Sequence, residues 1–164
     1  MTNCAVLGSV DYFVAGTRVF RRVLLVFVCA GMVVGAQAAS RWATLEAIHK
    51  LENPRNLTKP GRHGELGAYQ FRPSTWRMHT TVPFSRALDR STSDEVAIKH
   101  YEWLTRGLRS AGMPVTPYNI ALAWNSGLTA TVKGRSPRVA HQYAERAMNL
   151  AATMPRVNGI ARAR

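Results

Sequence analysis

The sequence is poor in cysteine: it has two, Cys4 and Cys29, and both lie within the first 38 residues. Since no cysteine follows, the rest of the chain cannot form a disulfide framework of its own. The 164 residues contain no internal repeat and no low-complexity tract, which fits one domain around one apolar core. A small, disulfide-stapled secreted fold is thereby excluded for the part after residue 38.

The chain is also poor in acidic residues, with 9 Asp and Glu against 22 Lys and Arg and a formal net charge of +13. The basic residues are scattered along the chain and do not form one run. This balance favours an anionic partner, because long-range attraction depends on charge and not on the identity of the polymer. Nucleic acid, anionic lipid and an anionic cell-wall polymer would all satisfy it.

Several chemical signatures are missing. The five histidines lack the paired spacing of a zinc-binding helix, and no serine lies in a nucleophile-elbow pattern. We therefore expect no metal and no cofactor. No stretch alternates convincingly between apolar and polar residues at period two, which indicates a mainly α fold with little or no sheet.

One long apolar run is present, near the N-terminus. Three arginines precede an unbroken apolar stretch over residues 23–36, and small residues occupy the two positions that a signal peptidase reads in Ala-Gln-Ala at 36–38. This order predicts a secretory signal over residues 1–38 and a mature domain over residues 39–164. A retained membrane anchor is the alternative, although the run is shorter than the roughly 20 residues that a spanning helix needs.

The predicted export narrows the choice of partner. The signal would hold only three basic residues and one acidic residue, so the basic character belongs to the exported domain. Exported domains of this kind meet wall and membrane surfaces and seldom meet nucleic acid. We expect a protein of the periplasm or cell envelope with no nucleic-acid partner and with transient membrane contact through the signal segment alone.

Helical periodicity organises the rest of the chain. The first helix is predicted over residues 41–53, because apolar residues recur at intervals of three and Pro54 prevents continuation. These apolar residues are Leu45, Ile48 and Leu51. Glu52 is therefore expected at a helix C-terminal end. A loop rich in Pro, Gly and Asn follows over residues 53–67, and a short helix that carries Trp76 comes after it.

Three further helices have start signals in the sequence. Thr92 and Glu95 form a capping box, and Gly112 ends the helix that this box opens. Its apolar face consists of Ala97, Tyr101, Leu104 and Leu108. A threonine before a proline opens the next helix at Thr116, and Ser136 repeats the device for the last. The apolar face of the last helix is predicted to be Val139, Tyr143, Ala147 and Leu150.

The chemical signal is a carboxylate at a helix end, followed by a glycine-bearing loop and a polar residue. Gly67 and Gln70 follow Glu52 at intervals of 15 and 18 residues. The elements in chain order are Glu52, Gly67, Gln70, Pro73, the Ala-Trp-Asn-Ser-Gly segment at 123–127, and Tyr143. Together they resemble the motifs of the lytic transglycosylase family, in its soluble lytic transglycosylase-like domain of the lysozyme-like superfamily.

This resemblance implies a lysozyme-like helical domain that cleaves the β-1,4 bond between N-acetylmuramic acid and N-acetylglucosamine in peptidoglycan glycan strands. It implies a single catalytic carboxyl group, Glu52, which acts first as an acid and then as a base. The 6-hydroxyl of the muramic acid would close a 1,6-anhydro ring without consuming water. The substrate-binding positions implied by the family are Gly67, Tyr69, Gln70, Trp124, Asn125 and Tyr143.

The sequence departs from the family pattern at three places. Asn53 replaces the serine after the catalytic glutamate, Ala68 and Tyr69 replace leucine and methionine, and Trp124 replaces a tyrosine. Asparagine still forms hydrogen bonds, and the aromatic changes keep a flat face for a sugar ring. These departures predict a divergent branch whose subsite preferences are altered more than its chemistry.

A physical argument for Glu52 stands beside the resemblance. Cleavage of a glycosidic bond needs a proton for a poor leaving group, so the acid must stay protonated near neutral pH. Burial among apolar side chains raises the pKa of a carboxyl group, and the partial negative charge of a helix C-terminus acts in the same direction. The alternative is an ordinary solvated carboxylate, as most glutamates are.

A second carboxylate would be required by most glycosidases, and Glu65 in the loop is the candidate. Under the mechanism that the family implies, Glu65 is structural or contacts the substrate. A goose-type lysozyme would keep the fold and the substrate but use water. A wall-binding module would keep the fold without turnover, and a basic membrane-active protein would need no catalytic acid.

The implied binding residues also have simpler interpretations. Gly67 would let the backbone approach the sugar, or it is an ordinary turn glycine. Tyr69 and Tyr143 would position substrate groups, or they pack in the core. Asn125 would bond to the substrate, or it braces the loop that carries Gln70.

Overall fold

The computed structural model describes residues 41–154, and this part of the chain is built from helices. They are α1 (residues 41–52), α2 (Pro73–Arg77), α3 (Arg90–Ser110), α4 (Pro117–Ser126), α5 (Leu128–Val132) and α6 (Arg138–Thr153), with a 3-10 helix at Phe84–Leu88. Strand pairing among these residues is limited to an isolated bridge between Leu66 and Phe71. The predicted mainly α fold is confirmed, and the predicted signal over 1–38 lies outside the described residues.

The start of α3 differs from the predicted capping box. Asp89 is the N-cap residue, and its carboxylate accepts hydrogen bonds from the Thr92 backbone N–H at 3.0 Å and from the Ser91 hydroxyl at 2.7 Å. The helix begins at Arg90, so Thr92 lies in its first turn and does not cap it. The carboxylate of Asp89 is both a strong cap acceptor and a negative charge at the positive end of the helix.

The start of α4 is as predicted, whereas the start of α6 is not. Thr116 caps α4 by accepting a hydrogen bond from the Asn119 backbone N–H at 3.2 Å, and Gly127 ends the helix with a φ of 85°. Ser136 does not cap α6, because its hydroxyl lies 2.8 Å from the hydroxyl of Ser126 and no side chain caps this helix. The serine instead ties the segment before α6 to the end of α4.

The buried face of α6 is rotated relative to the prediction. Val139 was expected in the core but is 66% exposed, whereas the neighbouring Ala140 is fully buried. The buried residues of α6 are Ala140, Tyr143, Ala144, Ala147 and Ala151. Alanine is short enough to let α6 pack closely against α4, which it contacts. Close packing against α4 therefore determines which face of α6 is buried, and the larger apolar side chain of Val139 stays on the exposed side.

Two apolar clusters form the core, and α4 contributes to both. The first surrounds α3, and its largest fully buried members are Trp76, Ile48, Leu104, Leu108 and Ile120. The second joins α4 to α6. Each large apolar side chain contributes about 1.5–3 kcal/mol to folding when fully buried. Because the first cluster contains residues of both α1 and α4, this packing holds the two helices against each other. None of the helices over residues 41–154 has the length and hydropathy to cross a bilayer.

Candidate active site

Glu52 lies where α1 ends against α6. It is the last residue of α1 and lines a cavity of about 560 Å³, which we call the carboxylate cavity because Glu65 lines it too. The Tyr143 hydroxyl, on α6, donates a hydrogen bond to Oε1 of Glu52 at 2.7 Å. Tyr143 is itself buried in the second core cluster. The core therefore fixes the position of this carboxyl group.

The surroundings of Glu52 favour its protonated form. Burial raises the pKa of Glu52, and the nearby charge of Glu65 raises it further. The hydrogen bond from Tyr143 and the charge of Arg146 act in the opposite direction, but the pKa of Glu52 remains above its ordinary value. This agrees with the expectation from sequence and is the property that a general acid needs.

Asn53 connects the end of α1 to the loop and the turn that follow. Its side-chain amide donates hydrogen bonds to the carbonyl oxygens of Leu57 at 2.9 Å and Gly67 at 3.1 Å, and its side-chain oxygen accepts one from the Leu57 N–H at 2.9 Å. The residue is 5% exposed. This departure from the family pattern therefore has a structural role that sequence reasoning missed: three bonds hold the loop and the turn against the end of α1, next to Glu52.

Gly67 is required by packing. Its φ is +79°, and a Cβ added there would lie 1.8 Å from the carbonyl oxygen of Ala87 in the 3-10 helix. The residue does not line the carboxylate cavity. The close approach that needs a glycine is therefore to Ala87. The predicted approach of the Gly67 backbone to a sugar does not agree with this placement.

Gln70 does line the carboxylate cavity, on the turn that Gly67 opens. Its side-chain amide folds back and donates to the Gly67 carbonyl oxygen at 3.0 Å, and its backbone has a φ of +46°. A side chain with positive φ costs about 1–2 kcal/mol, so the surroundings must impose this conformation. The turn places the Gln70 side chain at the same cavity as Glu52, as the motif predicts.

Tyr69 is a core residue. It is 3% exposed, does not line the carboxylate cavity, and packs against Trp124 with ring centroids 5.9 Å apart. Its hydroxyl donates to Oδ1 of Asp94 at 2.6 Å. The core interpretation therefore fits its placement, and the predicted contact with substrate does not. Tyr69 fixes the turn of residues 67–70 against α3.

Trp124 and Asn125 reach the carboxylate cavity from the last turn of α4. The half-buried Trp124 ring packs against Phe71, with centroids 5.5 Å apart, and also lines the cavity. Asn125 is exposed, and no hydrogen bond joins its side chain to any of the described residues. The loop-bracing interpretation of Asn125 is therefore wrong, and its amide is available to a ligand.

Tyr143 reaches the site through Glu52. It is 8% exposed and does not line the carboxylate cavity, so the predicted position in the cleft wall is not where the structure places it. Core packing and contact with the acid are not alternatives here, because one side chain does both. We treat Tyr143 as a positioning residue.

Glu65 lines the same cavity but is held in its charged form. It accepts hydrogen bonds from the His63 backbone N–H at 2.8 Å and from Arg72 at 3.2 Å. Partial burial alone would raise the pKa of Glu65, but hydrogen bonds from the His63 and Glu65 backbones and from Arg72 outweigh it and lower the pKa. The pKa values of the two carboxyl groups of this cavity are thus shifted in opposite directions, upward for Glu52 and downward for Glu65.

A buried histidine lines the cavity and was not predicted as part of the site. His100 is 7% exposed, and its Nδ1 lies 2.9 Å from Nε2 of His79. Its ring stacks on Trp103 at an interplanar angle of 13°. Burial, followed by the charge of His79, lowers the pKa of His100 to about 3, so the ring is neutral near pH 7. Its position three residues after the buried Ala97 on α3 is the sequence signal that could have found it.

A second cavity, of about 570 Å³, adjoins the first. The two share five lining residues, Thr75, His100, Trp124, Ser126 and Gly127. We call it the basic cavity, because Lys133 and Arg135 line it and no acidic residue does. Neither cation was singled out from the sequence, and α5, which leads to them, was not predicted.

The joined cavities combine a carboxyl group of raised pKa, a carboxylate of lowered pKa and aromatic faces. That set can deliver a proton to a leaving oxygen, stabilise a developing positive charge and pack against a sugar ring. No protein-family model, curated protein or solved structure matches this chain. The site geometry and the motif resemblance therefore carry the functional argument.

Proposed function

We propose that this protein is a peptidoglycan lytic transglycosylase that cleaves the β-1,4 bond between N-acetylmuramic acid and N-acetylglucosamine. The observation that carries the proposal is the pair of carboxyl groups on one cavity, in which the pKa of Glu52 is raised and that of Glu65 is lowered. Opposed shifts of this kind assign acid and charged roles in glycosidases. The motif resemblance supplies the substrate class, and export to the periplasm or cell envelope belongs to the same proposal.

In the proposed reaction, Glu52 gives its proton to the glycosidic oxygen as the bond from that oxygen to C1 of the muramic acid breaks. The acetamido oxygen of the same sugar bonds to C1 and spreads the positive charge. Glu52, now a carboxylate, takes the proton of the 6-hydroxyl, whose oxygen bonds to C1 and displaces the acetamido oxygen. The product is a 1,6-anhydro end, Glu52 is again protonated, and no water or cofactor is consumed.

The contacts of the site suit these steps. Tyr143 bonds to Oε1 of Glu52, while Oε2 has no hydrogen-bond partner among the described residues and is left to carry the proton. The Asn125 amide is exposed at the cavity and can bond to an acetamido group. Trp124 offers a ring face beside it.

Hydrolysis is the second candidate, and the state of Glu65 favours it. A carboxylate with a lowered pKa on the same cavity could activate a water molecule for attack at C1, as in glycosidases that use two carboxyl groups. The same charge could instead stabilise the cation of the transglycosylase reaction. The two roles of Glu65 lead to different products.

Product mass separates the two reactions. Purified peptidoglycan is digested with the protein, and the soluble fragments are analysed by mass spectrometry. We expect anhydro ends, each lighter than a reducing end by one water, and expect Glu65→Gln to keep this product. Reducing ends alone, together with loss of cleavage in Glu65→Gln, would establish hydrolysis and overturn the transglycosylase proposal.

The role of Glu52 is tested by the same digestion. Glu52→Gln keeps the shape of the side chain but cannot donate a carboxyl proton, so the rate should fall by about 10²–10⁴-fold. Glu145→Gln is the matched control, because Glu145 is an exposed residue of α6 that lines neither cavity. Equal rates for Glu52→Gln and wild type would remove Glu52 from the mechanism. Binding without any cleavage by the wild type would favour a wall-binding module.

A further inference from the structure

Two imidazole rings meet where the carboxylate cavity and the basic cavity join. His100, on α3, lines both cavities, and its Nδ1 lies 2.9 Å from Nε2 of His79, which follows α2. A hydrogen bond between two ring nitrogens needs one of them to carry a proton and the other to carry none. The protonation of each ring is therefore tied to that of the other, and so is what His100 presents to the cavities.

The second ring nitrogen of His100, Nε2, has no partner within the protein. It forms no hydrogen bond with any described residue. It is nevertheless accessible, because the buried side-chain polar atoms that lack a partner in the described part of the chain are Ser93 Oγ and Thr105 Oγ1. The ring is otherwise packed: it stacks on Trp103 with centroids 5.6 Å apart and makes a T-shaped contact with Trp124 at 4.7 Å. Nε2 is thus the polar atom that His100 offers to a ligand in the cavities.

The charges around the pair keep both rings neutral near pH 7. Burial, followed by the charge of His79, lowers the pKa of His100 to about 3. Burial also lowers the pKa of His79, and the charges of Lys99 and Arg106 lower it further. The charged and titratable groups that line the adjoining cavities are Glu52, Arg62, His63, Glu65 and Arg72 on one side and Lys133 and Arg135 on the other.

Neither of the two carboxyl groups in this set pairs with the imidazoles. Glu65 accepts from the Arg72 guanidinium at 3.2 Å, and Glu52 accepts from the Tyr143 hydroxyl at 2.7 Å. The other charged groups are cations, which oppose a further positive charge on either ring. The site therefore holds His100 as a neutral polar group in cationic surroundings.

Two neutral rings can share one hydrogen bond in two ways. Either His79 donates from Nε2 and the proton of His100 is on its own Nε2, or His100 donates from Nδ1 and the proton of His79 is on its Nδ1. The free imidazole of histidine favours the tautomer with the proton on Nε2. The first way gives both rings this tautomer, whereas the second gives it to neither. We therefore expect His100 to present an N–H donor to the cavities.

We propose that His100 is a substrate-binding residue that the motif does not include: its Nε2–H donates a hydrogen bond to an uncharged oxygen of the glycan backbone where the two cavities join, and His79 holds the ring in this tautomer. The inference rests on the glycan substrate proposed above and adds a contact to it. An uncharged acceptor suits a neutral N–H, because a charged group would be drawn to the cations of the cavities instead. The indole rings of Trp103 and Trp124 offer apolar surface to the sugar beside this donor.

The tautomer is measured in the free, full-length protein by nitrogen NMR of isotope-labelled histidine, which distinguishes a proton on Nε2 from one on Nδ1. We expect both rings to carry it on Nε2 near pH 7. His79→Gln should leave His100 in this tautomer, because the glutamine amide can still donate to Nδ1, whereas His79→Leu should introduce a population with the proton on Nδ1. His141→Leu is the matched control, since His141 lines neither cavity. A proton on Nδ1 of His100 in the wild type would overturn the inference, and an unchanged ring in His79→Leu would remove His79 from it.

The contact is measured by binding, separately from turnover. Glu52→Gln is titrated calorimetrically with peptide-free glycan oligomers, and His100 is then replaced in that background. His100→Asn keeps a polar group near the position of Nδ1 but has none at Nε2, whereas His100→Gln places an amide N–H near Nε2. Loss of one neutral hydrogen bond should weaken binding by His100→Asn about fivefold, and His100→Gln should restore most of the affinity. Denaturant titration checks that both variants are folded.

The outcomes separate this inference from the proposed reaction. Equal affinities with and without His100→Asn would overturn the contact and leave the reaction standing. An effect of His100→Asn that is confined to oligomers with stem peptides would overturn the glycan backbone as the acceptor. Absence of oligomer binding by Glu52→Gln would contradict the glycan substrate and the contact with it. The expected loss and rescue in a protein whose wild type cleaves nothing would support the contact and contradict the reaction.

Discussion

The two adjoining cavities are built in different ways. At the carboxylate cavity, Glu52 accepts a hydrogen bond from Tyr143 and Glu65 accepts hydrogen bonds from His63 and Arg72, while Asn53 holds the neighbouring loop with three more. In the basic cavity, Lys133 and Arg135 are exposed side chains without ion-pair partners in the described part of the chain. The carboxyl groups of the first cavity are held by hydrogen bonds, whereas no ion pair holds the two cations of the second.

Under the proposed function, this difference suits different tasks. Acid catalysis needs groups held in a fixed geometry and protonation state before the substrate arrives. Attraction of an anionic group by exposed cations needs no such fixed geometry. Substitutions in the carboxylate cavity should therefore change stability and the chemical step, whereas those in the basic cavity should change binding and its salt dependence.

The largest effect is expected from Gly67→Ala, which would break the frame of the carboxylate cavity. The new methyl group would lie 1.8 Å from the Ala87 carbonyl oxygen, and alanine at a φ of +79° is strained in addition. We expect the free energy of unfolding to fall by about 3 kcal/mol or more. Denaturant titration followed by tryptophan fluorescence measures it.

Gly64→Ala separates the collision from the strain. Gly64 has a similar φ of +77°, but a Cβ there would meet nothing within 4 Å. Its loss of stability should be limited to the conformational cost of about 1–2 kcal/mol. Equal losses for the two variants would mean that Gly67 is kept for its backbone angle alone and that contact with Ala87 does not support the cavity.

A smaller loss is expected from Asn53→Ala, because it leaves the buried Gly67 carbonyl oxygen without this partner and removes two part-buried hydrogen bonds with the Leu57 backbone. The unfolding free energy should fall by about 2–3 kcal/mol. Asn125→Ala is its matched control, since Asn125 is exposed and its side chain forms no hydrogen bond with any described residue. It should change stability by less than about 0.5 kcal/mol while raising the KM for glycan. Comparable destabilisation by both variants would contradict the contrast between a bracing amide and a ligand-facing one.

Local signals made part of the site predictable. The spacing of apolar residues before Glu52 and the stop at Pro54 place the acid at a helix end whatever the rest of the fold does. The Thr116 cap of α4 was predictable too, because its hydrogen-bond partner, the Asn119 N–H, lies only three residues away. Gln70 follows from its place in the motif, and it does line the carboxylate cavity.

Other features depend on residues distant in sequence and were missed. The position of Tyr69 is decided by Asp94 on α3, and that of Gly67 by Ala87 in a 3-10 helix that has no strong periodic pattern. The basic cavity depends on α5, whose five residues are too few to display a helical repeat. Such tertiary choices are not encoded in any short window of the sequence.

The smallest effect, and the sharpest test of preorganisation, is expected from Tyr143→Phe. The variant keeps the ring in the second core cluster but removes the hydrogen bond to Oε1 of Glu52. A bond worth about 1 kcal/mol should lower kcat about fivefold through poorer positioning. The matched control is Tyr118→Phe, which also removes a tyrosine hydroxyl. That hydroxyl is bonded to His141, and Tyr118 lines neither cavity.

The pH dependence of Tyr143→Phe distinguishes positioning of the acid from a loss of core packing. The bond from Tyr143 lowers the pKa of Glu52 against the larger effect of burial, so its removal should raise that pKa further. A general acid works only while protonated, and activity is lost as pH rises through its pKa. The alkaline limb of the rate profile should therefore move to higher pH in Tyr143→Phe and stay in place in Tyr118→Phe. An unmoved or lowered limb would show that the hydroxyl does not act on Glu52, and the pKa of Glu52 would then be set by burial and by the surrounding charges without Tyr143.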